Sequence, residues 1–156
     1  MKKNHFLILF LLLVGFYFRT QAAVIDPTSL LKAKTIIKEV QQKYAPDRRT
    51  EIYNVSFSNS DSSQLEIETT RHEVYNVLKE RFNQEKISII LNERPLPAKD
   101  LGDQTFGIAN LSVCNNRFYP DNGAEMATQV ILGTPVRILK KEHGYYLVQS
   151  PDRYIA

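Results

Sequence analysis

The segment EMATQVILGTPVRIL, from Glu125 to Leu139, decides the fold of the C-terminal half of this 156-residue chain. Its apolar positions predict two strands, 126–131 and 135–141, separated by a turn signal at Gly133-Thr134-Pro135. Three more candidate strands surround this pair, at 106–113, 116–119 and 144–149. Five short strands in about 50 residues predict a small β-barrel or sandwich.

The preceding residues predict a small α/β module. A helix is expected to begin at Asp26-Pro27-Thr28, with Thr or Asp as its cap, and to end before Ala45-Pro46-Asp47. Its apolar spacing favours packing against a core, and a partner-binding helix is the alternative. Further elements are expected in the order strand 52–57, strand 65–69, helix 71–83 and strand 87–91. Pro95 and Pro97 then predict a stiff linker.

Residues 1–22 have the three zones of a cleavable signal peptide. Lys2 and Lys3 precede an uncharged run, 6–18, and small residues follow Arg19. That run is shorter than the roughly 20 residues a membrane-spanning helix needs, although an uncleaved anchor is the alternative. The chain is therefore predicted to be secreted or periplasmic, with no membrane attachment after cleavage.

Charge and cysteine content exclude several classes of function. Cleavage removes three of the 20 basic residues, which leaves 17 to balance the 17 acidic ones. A neutral mature chain lacks the basic surface of a nucleic-acid-binding protein, so no nucleic-acid partner is expected. The single cysteine, Cys114, cannot form an internal disulfide. The histidines, His5, His72 and His143, do not have zinc-site spacing, so no metal and no cofactor are expected.

Residues 106–156 resemble a bacterial SH3-like domain. The resemblance rests on Phe106 to Val113 with Asn115 and Arg117, on Glu125 to Leu139, and on Gly144 to Asp152. This form of the domain precedes the catalytic domain in NlpC-type cell-wall cysteine peptidases, also described as dipeptidyl-peptidase VI or γ-D-glutamyl-L-diamino-acid endopeptidases. The segment Tyr44 to Arg49 is similar to one that opens some of these enzymes, and the helix 71–83 region is similar to a BON-like α/β unit.

The predicted fold class is therefore α+β, a small BON-like α/β module followed by an SH3-like β-barrel that is incomplete at its last strand. The expected domain organisation is a signal peptide at 1–22, an N-terminal helix at 23–47, the BON-like module at 48–94, a linker at 95–105 and the SH3-like domain at 106–156.

The resemblance implies a non-catalytic role. The family's cysteine nucleophile and histidine base belong to a domain after the SH3-like one, and this sequence ends at Ala156. Cys114 shows no sign of a partner base, so it is predicted to be a small buried residue and no catalytic residue is assigned. The leading hypothesis is the substrate-positioning, cell-wall-recognition part of a secreted peptidoglycan peptidase, with the missing catalytic domain as a partner. The alternatives are a free-standing periplasmic SH3-like binding or scaffold protein and a hydrolase fragment.

The resemblance also implies a ligand site. In the family, an acidic side chain in one turn and a tyrosine in a later turn recognise peptidoglycan stem peptides. Aligned on Arg117 and Pro120, the acidic position is Tyr119, and aligned on Asp152, the tyrosine is Tyr154. The ligand-binding residues are thus expected to be Tyr119, Tyr154 and Arg117. The alternative is that both tyrosines are partly buried and only cover the core.

Overall fold

A computed structural model describes residues 25–58 and 61–156. The predicted signal peptide lies outside the described residues. In the part of the chain that is described, no helix is both long and apolar enough to cross a membrane.

The first helix, α1, spans Pro27–Tyr44. The Asp26 carboxylate caps it by accepting the backbone N–H groups of Thr28, at 3.0 Å, and Ser29, at 2.9 Å, and Pro27 occupies the first turn. The predicted helix is therefore confirmed. Ala33, Ile36 and Val40 are buried along one face, which is the face of a helix that packs against a core.

The predicted order strand, strand, helix, strand is also confirmed. Strand β1 (Tyr53–Ser58) pairs antiparallel with β2 (Asp61–Thr69), which pairs parallel with β3 (Ile90–Pro95). Helix α2 (Glu73–Gln84) makes the crossover that parallel pairing requires. We call residues 27–95 the N-terminal module. Its core contains the following buried residues: Ala33, Ile36, Val40, Ala45, Tyr53, Leu65, Ile67, Val74, Leu78, Phe82 and Ile87.

Strand β3 differs from the prediction of 87–91. Ile87 is buried in the core directly after α2, where its N–H donates to the carbonyl of Phe82 at 2.8 Å. The strand starts only at Ile90 and continues to Pro95, opposite Thr69. The predicted start of the strand at residue 87 was wrong because Ile87 fills the core without joining the sheet.

We call residues 106–156 the C-terminal module, which follows a 3-10 turn at Lys99–Leu101. Its strands are β4 (Phe106–Ile108), β5 (Val113–Arg117), β6 (Met126–Ile131), β7 (Pro135–Glu142) and β8 (Tyr145–Gln149). They form one antiparallel sheet in the order β4-β7-β8 and a separate antiparallel pair, β5-β6. Among the described residues these sheets do not close into the predicted barrel.

Two of the predicted strands of this module have bounds that differ by more than one residue. The expected strand 106–113 is broken at 109–112, where Ala109 and the turn residues Gly133 and Thr134 exchange backbone hydrogen bonds of 2.9 Å. This bend carries the chain from one sheet to the other. The next strand is therefore 113–117 instead of 116–119.

The last residues return to pair with β8. Val148 and Ala156 exchange two backbone hydrogen bonds, of 2.8 and 3.0 Å. The intervening turn is held by the Asp152 carboxylate, which accepts the hydroxyl groups of Ser150 and Thr128 and the N–H of Tyr154. The sequence predicted a barrel incomplete at its last strand, yet the edge of β8 is paired at Val148 and Gln149.

A small apolar cluster joins the two modules. Leu139 of β7 is completely buried and packs with Leu96 and Ile155. Partly buried Ile52, Ala98 and Leu147 surround them. We call this group the seam cluster.

Polar contacts flank the seam cluster. The Ala98 N–H donates to the carbonyl of Leu139, and the Ile155 N–H donates to the carbonyl of Arg49, both at 2.7 Å. The Lys140 ammonium lies 2.9 Å from a carboxylate oxygen of Glu68. The modules therefore share backbone, ionic and apolar contacts.

Replacing Leu139 by alanine tests the seam cluster. Truncation of this buried side chain (0 % exposed) should lower the free energy of unfolding by about 2–5 kcal/mol, measured by urea denaturation. The matched control is Leu31→Ala on the exposed side of α1 (67 % exposed), which should change it by less than about 0.5 kcal/mol. A loss below about 1 kcal/mol for Leu139→Ala would contradict this packing.

Asp152 should make a pH-dependent contribution to stability. Its hydrogen bonds, above all that from Ser150, lower the pKa of Asp152 below the ordinary value of 3.8. A lowered pKa stabilises the fold above pH 3.8, and this stabilisation is lost as the pH falls through the pKa of the folded state. Because the carboxylate is exposed and screened by solvent, Asp152→Asn should reduce stability by less than about 1 kcal/mol at neutral pH, and by much less near pH 2. Equal losses at both pH values in urea melts would refute this role.

Candidate functional site

A cleft of about 600 Å³ lies in the C-terminal module. Residues of β4, β5, β7 and β8 line it, together with the turn that follows β5. Four aromatic side chains lie along its wall: Phe118, Tyr119, Tyr145 and Tyr146. An aromatic wall offers a large, rigid contact surface to a ligand, and hydroxyl groups fix its orientation.

The structure places two of the three predicted site residues in this cleft. Arg117 and Tyr119 both line it, whereas Tyr154 is not among its lining residues. The Tyr154 ring instead lies beneath the guanidinium of Arg49, 5.6 Å from the ring centroid. The Tyr119 side chain is 72 % exposed, so it does not cover a core.

The tyrosines of β8, Tyr145 and Tyr146, also line the cleft. The Tyr145 hydroxyl donates to the side-chain oxygen of Asn122 at 3.4 Å, which ties β8 to the turn after β5. The ammonium of Lys141 lies 5.4 Å from the centre of the Tyr146 ring.

The charged groups of the cleft are Arg117 and Glu142. The Arg117 guanidinium is half-buried and donates through Nη1 to the carbonyl of Ala124, which fixes it across the β5–β6 hairpin. The Glu142 carboxylate lies 2.9 Å from the Lys140 ammonium and 3.6 Å from His143 Nε2. The hydrogen bond from Lys140 lowers the pKa of Glu142, which keeps it ionised at neutral pH.

Cys114 and Asn116 lie two residues apart on β5, so their side chains point to the same face of the strand. Both line the cleft. Cys114 is half-buried, not fully buried as the sequence predicted, because its strand borders this opening. Asn116 is only 8 % exposed, and its Nδ2 group has no hydrogen-bond partner among the described residues. Asn116 was not predicted as a site residue; its one signal in the sequence is an amide at an inward-facing position of a strand.

Other parts of the described structure fit a ligand site less well. A hollow of about 370 Å³ beside Arg48 in the N-terminal module is smaller, and its Glu51 carboxylate already faces Arg71 and Arg153 at 3.6 and 3.3 Å. Within residues 25–58 and 61–156, no group of three or more His, Cys, Asp or Glu side chains could hold a metal ion.

Comparison with known proteins assigns the segment that forms much of the cleft. Residues 117–156 match the family model of a bacterial dipeptidyl-peptidase SH3 domain. Arg117, Tyr119, Tyr145 and Tyr146 all fall within the match. No curated protein matches the chain. The C-terminal module therefore contains an SH3-like domain of the kind found in bacterial dipeptidyl-peptidases.

Proposed function

We propose that this chain is the non-catalytic, cell-wall-recognition part of a secreted peptidoglycan peptidase, and that its aromatic cleft binds peptidoglycan stem peptides. One observation carries the proposal: the segment that matches a dipeptidyl-peptidase SH3 domain, 117–156, supplies most of the cleft's aromatic and charged side chains. In this proposal the parent enzyme is an NlpC-type peptidase, and the N-terminal module is its BON-like unit.

The size and composition of the cleft suit a short peptide. Ligand sites of this volume are mostly apolar and aromatic, with a few polar groups that fix orientation. The rings of Tyr119 and Tyr145 can pack on peptide planes and small side chains, while Arg117 and Asn116 can donate to peptide oxygens.

The cleft is suited to binding more than to catalysis. Its only thiol, Cys114, is accompanied by no histidine among the residues that line it. A cysteine nucleophile needs a base or a helix N-terminus to stabilise its thiolate, and Cys114 lies within a strand. Chemistry on a bound peptide would therefore require groups from another domain.

The seam cluster fixes the position of the cleft relative to the N-terminal module. β7 and β8 supply one wall of the cleft, and β7 is anchored to the N-terminal module through Leu139 and Lys140. Preorganisation of this kind reduces the entropy that binding must overcome.

Titration of the full chain with a stem tetrapeptide, followed by NMR, tests the proposal. The amide signals of residues 117–120 and 144–146 should shift on binding. Tyr119→Ala should weaken binding about threefold to tenfold, because one ring contact is lost. The matched control is Leu31→Ala, which truncates a comparably exposed side chain (67 % against 72 % exposed) far from the cleft.

The control should bind as the wild type does. An absence of shifts at millimolar peptide, or equal affinities for the Tyr119→Ala variant and the wild type, would rule out this site. The predicted contribution of Tyr154, which lies outside this cleft, stays a prediction from the sequence.

A further inference from the structure

The amide of Asn116 is an unsatisfied hydrogen-bond donor at the candidate site. Its residue is more than nine-tenths buried, and Nδ2 is closed to solvent without a partner among the described residues. A buried donor in this state has lost its water without replacement, which costs folding free energy. Any oxygen that reaches it on binding recovers that cost.

Asn116 lies in the wall of the cleft, although Nδ2 itself is closed to solvent. Its residue lines the cleft beside Cys114 and Arg117. The final torsion of an asparagine side chain is soft, so a small rotation can turn Nδ2 towards an arriving acceptor. The neighbouring Asn115 also lines the cleft, but its side-chain oxygen already accepts from Gln129 Nε2 at 2.7 Å.

The charges near Asn116 favour an anionic acceptor. Arg117 uses one N–H for the carbonyl of Ala124, and the structure shows no partner among the described residues for its other N–H groups. The one acidic side chain of the cleft, Glu142, already faces Lys140 and His143. Among the charged side chains of the cleft, the one with uncommitted hydrogen-bonding groups is therefore the cation, Arg117.

We propose that the cleft recognises the terminal carboxylate of its peptide ligand, with Asn116 Nδ2 and the Arg117 guanidinium as the donors. This inference rests on the proposed function and specifies which end of the peptide is read. Hydrogen bonds from such donors to a carboxylate are stronger than those to a neutral carbonyl group.

The direct test compares two stem tetrapeptides, one with a free terminal carboxylate and one with a terminal amide, by calorimetric titration of the full chain. The free carboxylate should bind roughly tenfold tighter or more. Acetylation of the peptide's amino group should change the affinity less than about threefold. Equal affinities for carboxylate and amide would overturn this inference but leave the proposed function standing, whereas no binding of either peptide would overturn both.

Asn116→Leu isolates the donor. Leucine keeps the approximate shape but removes the unsatisfied group, so the melting temperature should stay equal or rise. The preference for the carboxylate should fall about threefold, because Arg117 remains as the second donor. The control Asn76→Leu lies on the exposed face of α2 and should retain the preference.

A folded Asn116→Leu variant that keeps the full preference would overturn the role of Asn116. A marked fall in its melting temperature would show that the amide is satisfied in the unbound protein, which contradicts the premise. If the variant fails to fold, the comparison of the two peptides on the wild type still decides the question.

Discussion

The burial of Leu139 is the constraint on which the arrangement of the molecule depends. This side chain belongs to β7, yet it packs with Leu96 at the exit from β3 and with Ile155 beyond β8. A single strand thus contributes to the joint with the N-terminal module and to a wall of the cleft. Because a buried leucine is costly to leave unpacked, the seam cluster fixes where that wall lies.

Ionic contacts extend the same joint to the edge of the cleft. Lys140 follows Leu139 and lies 2.9 Å from both Glu68 in the N-terminal module and Glu142 at the cleft. Partly exposed ion pairs contribute little to stability, so their effect here is to orient groups. Lys140 holds the Glu142 carboxylate, so the acidic side chain of the cleft is already paired, whereas Arg117 keeps N–H groups with no partner among the described residues.

The sequence predicted the elements better than their assembly. Local signals located α1, because Asp26 and Pro27 mark a helix start wherever they occur in this pattern. They misplaced β3, because the sequence does not distinguish an apolar strand residue from one such as Ile87, which is buried in the core outside the sheet. Arg117 and Tyr119 were predicted from the resemblance to an SH3-like domain, because both lie in one short stretch of sequence that can be aligned directly. Asn116 could not be predicted in this way, because only the folded structure shows that its buried amide has no hydrogen-bond partner among the described residues.

The central claim, that the cleft is a peptide-binding site, can be tested most directly through Cys114, the only cysteine of the sequence and a residue that lines the cleft. The measurement is the rate at which a thiol reagent modifies Cys114 in the full chain as a stem tetrapeptide is added. The account predicts that the rate falls and saturates with peptide concentration, because an occupied cleft shields the thiol. A rate that is unchanged at millimolar peptide would contradict it.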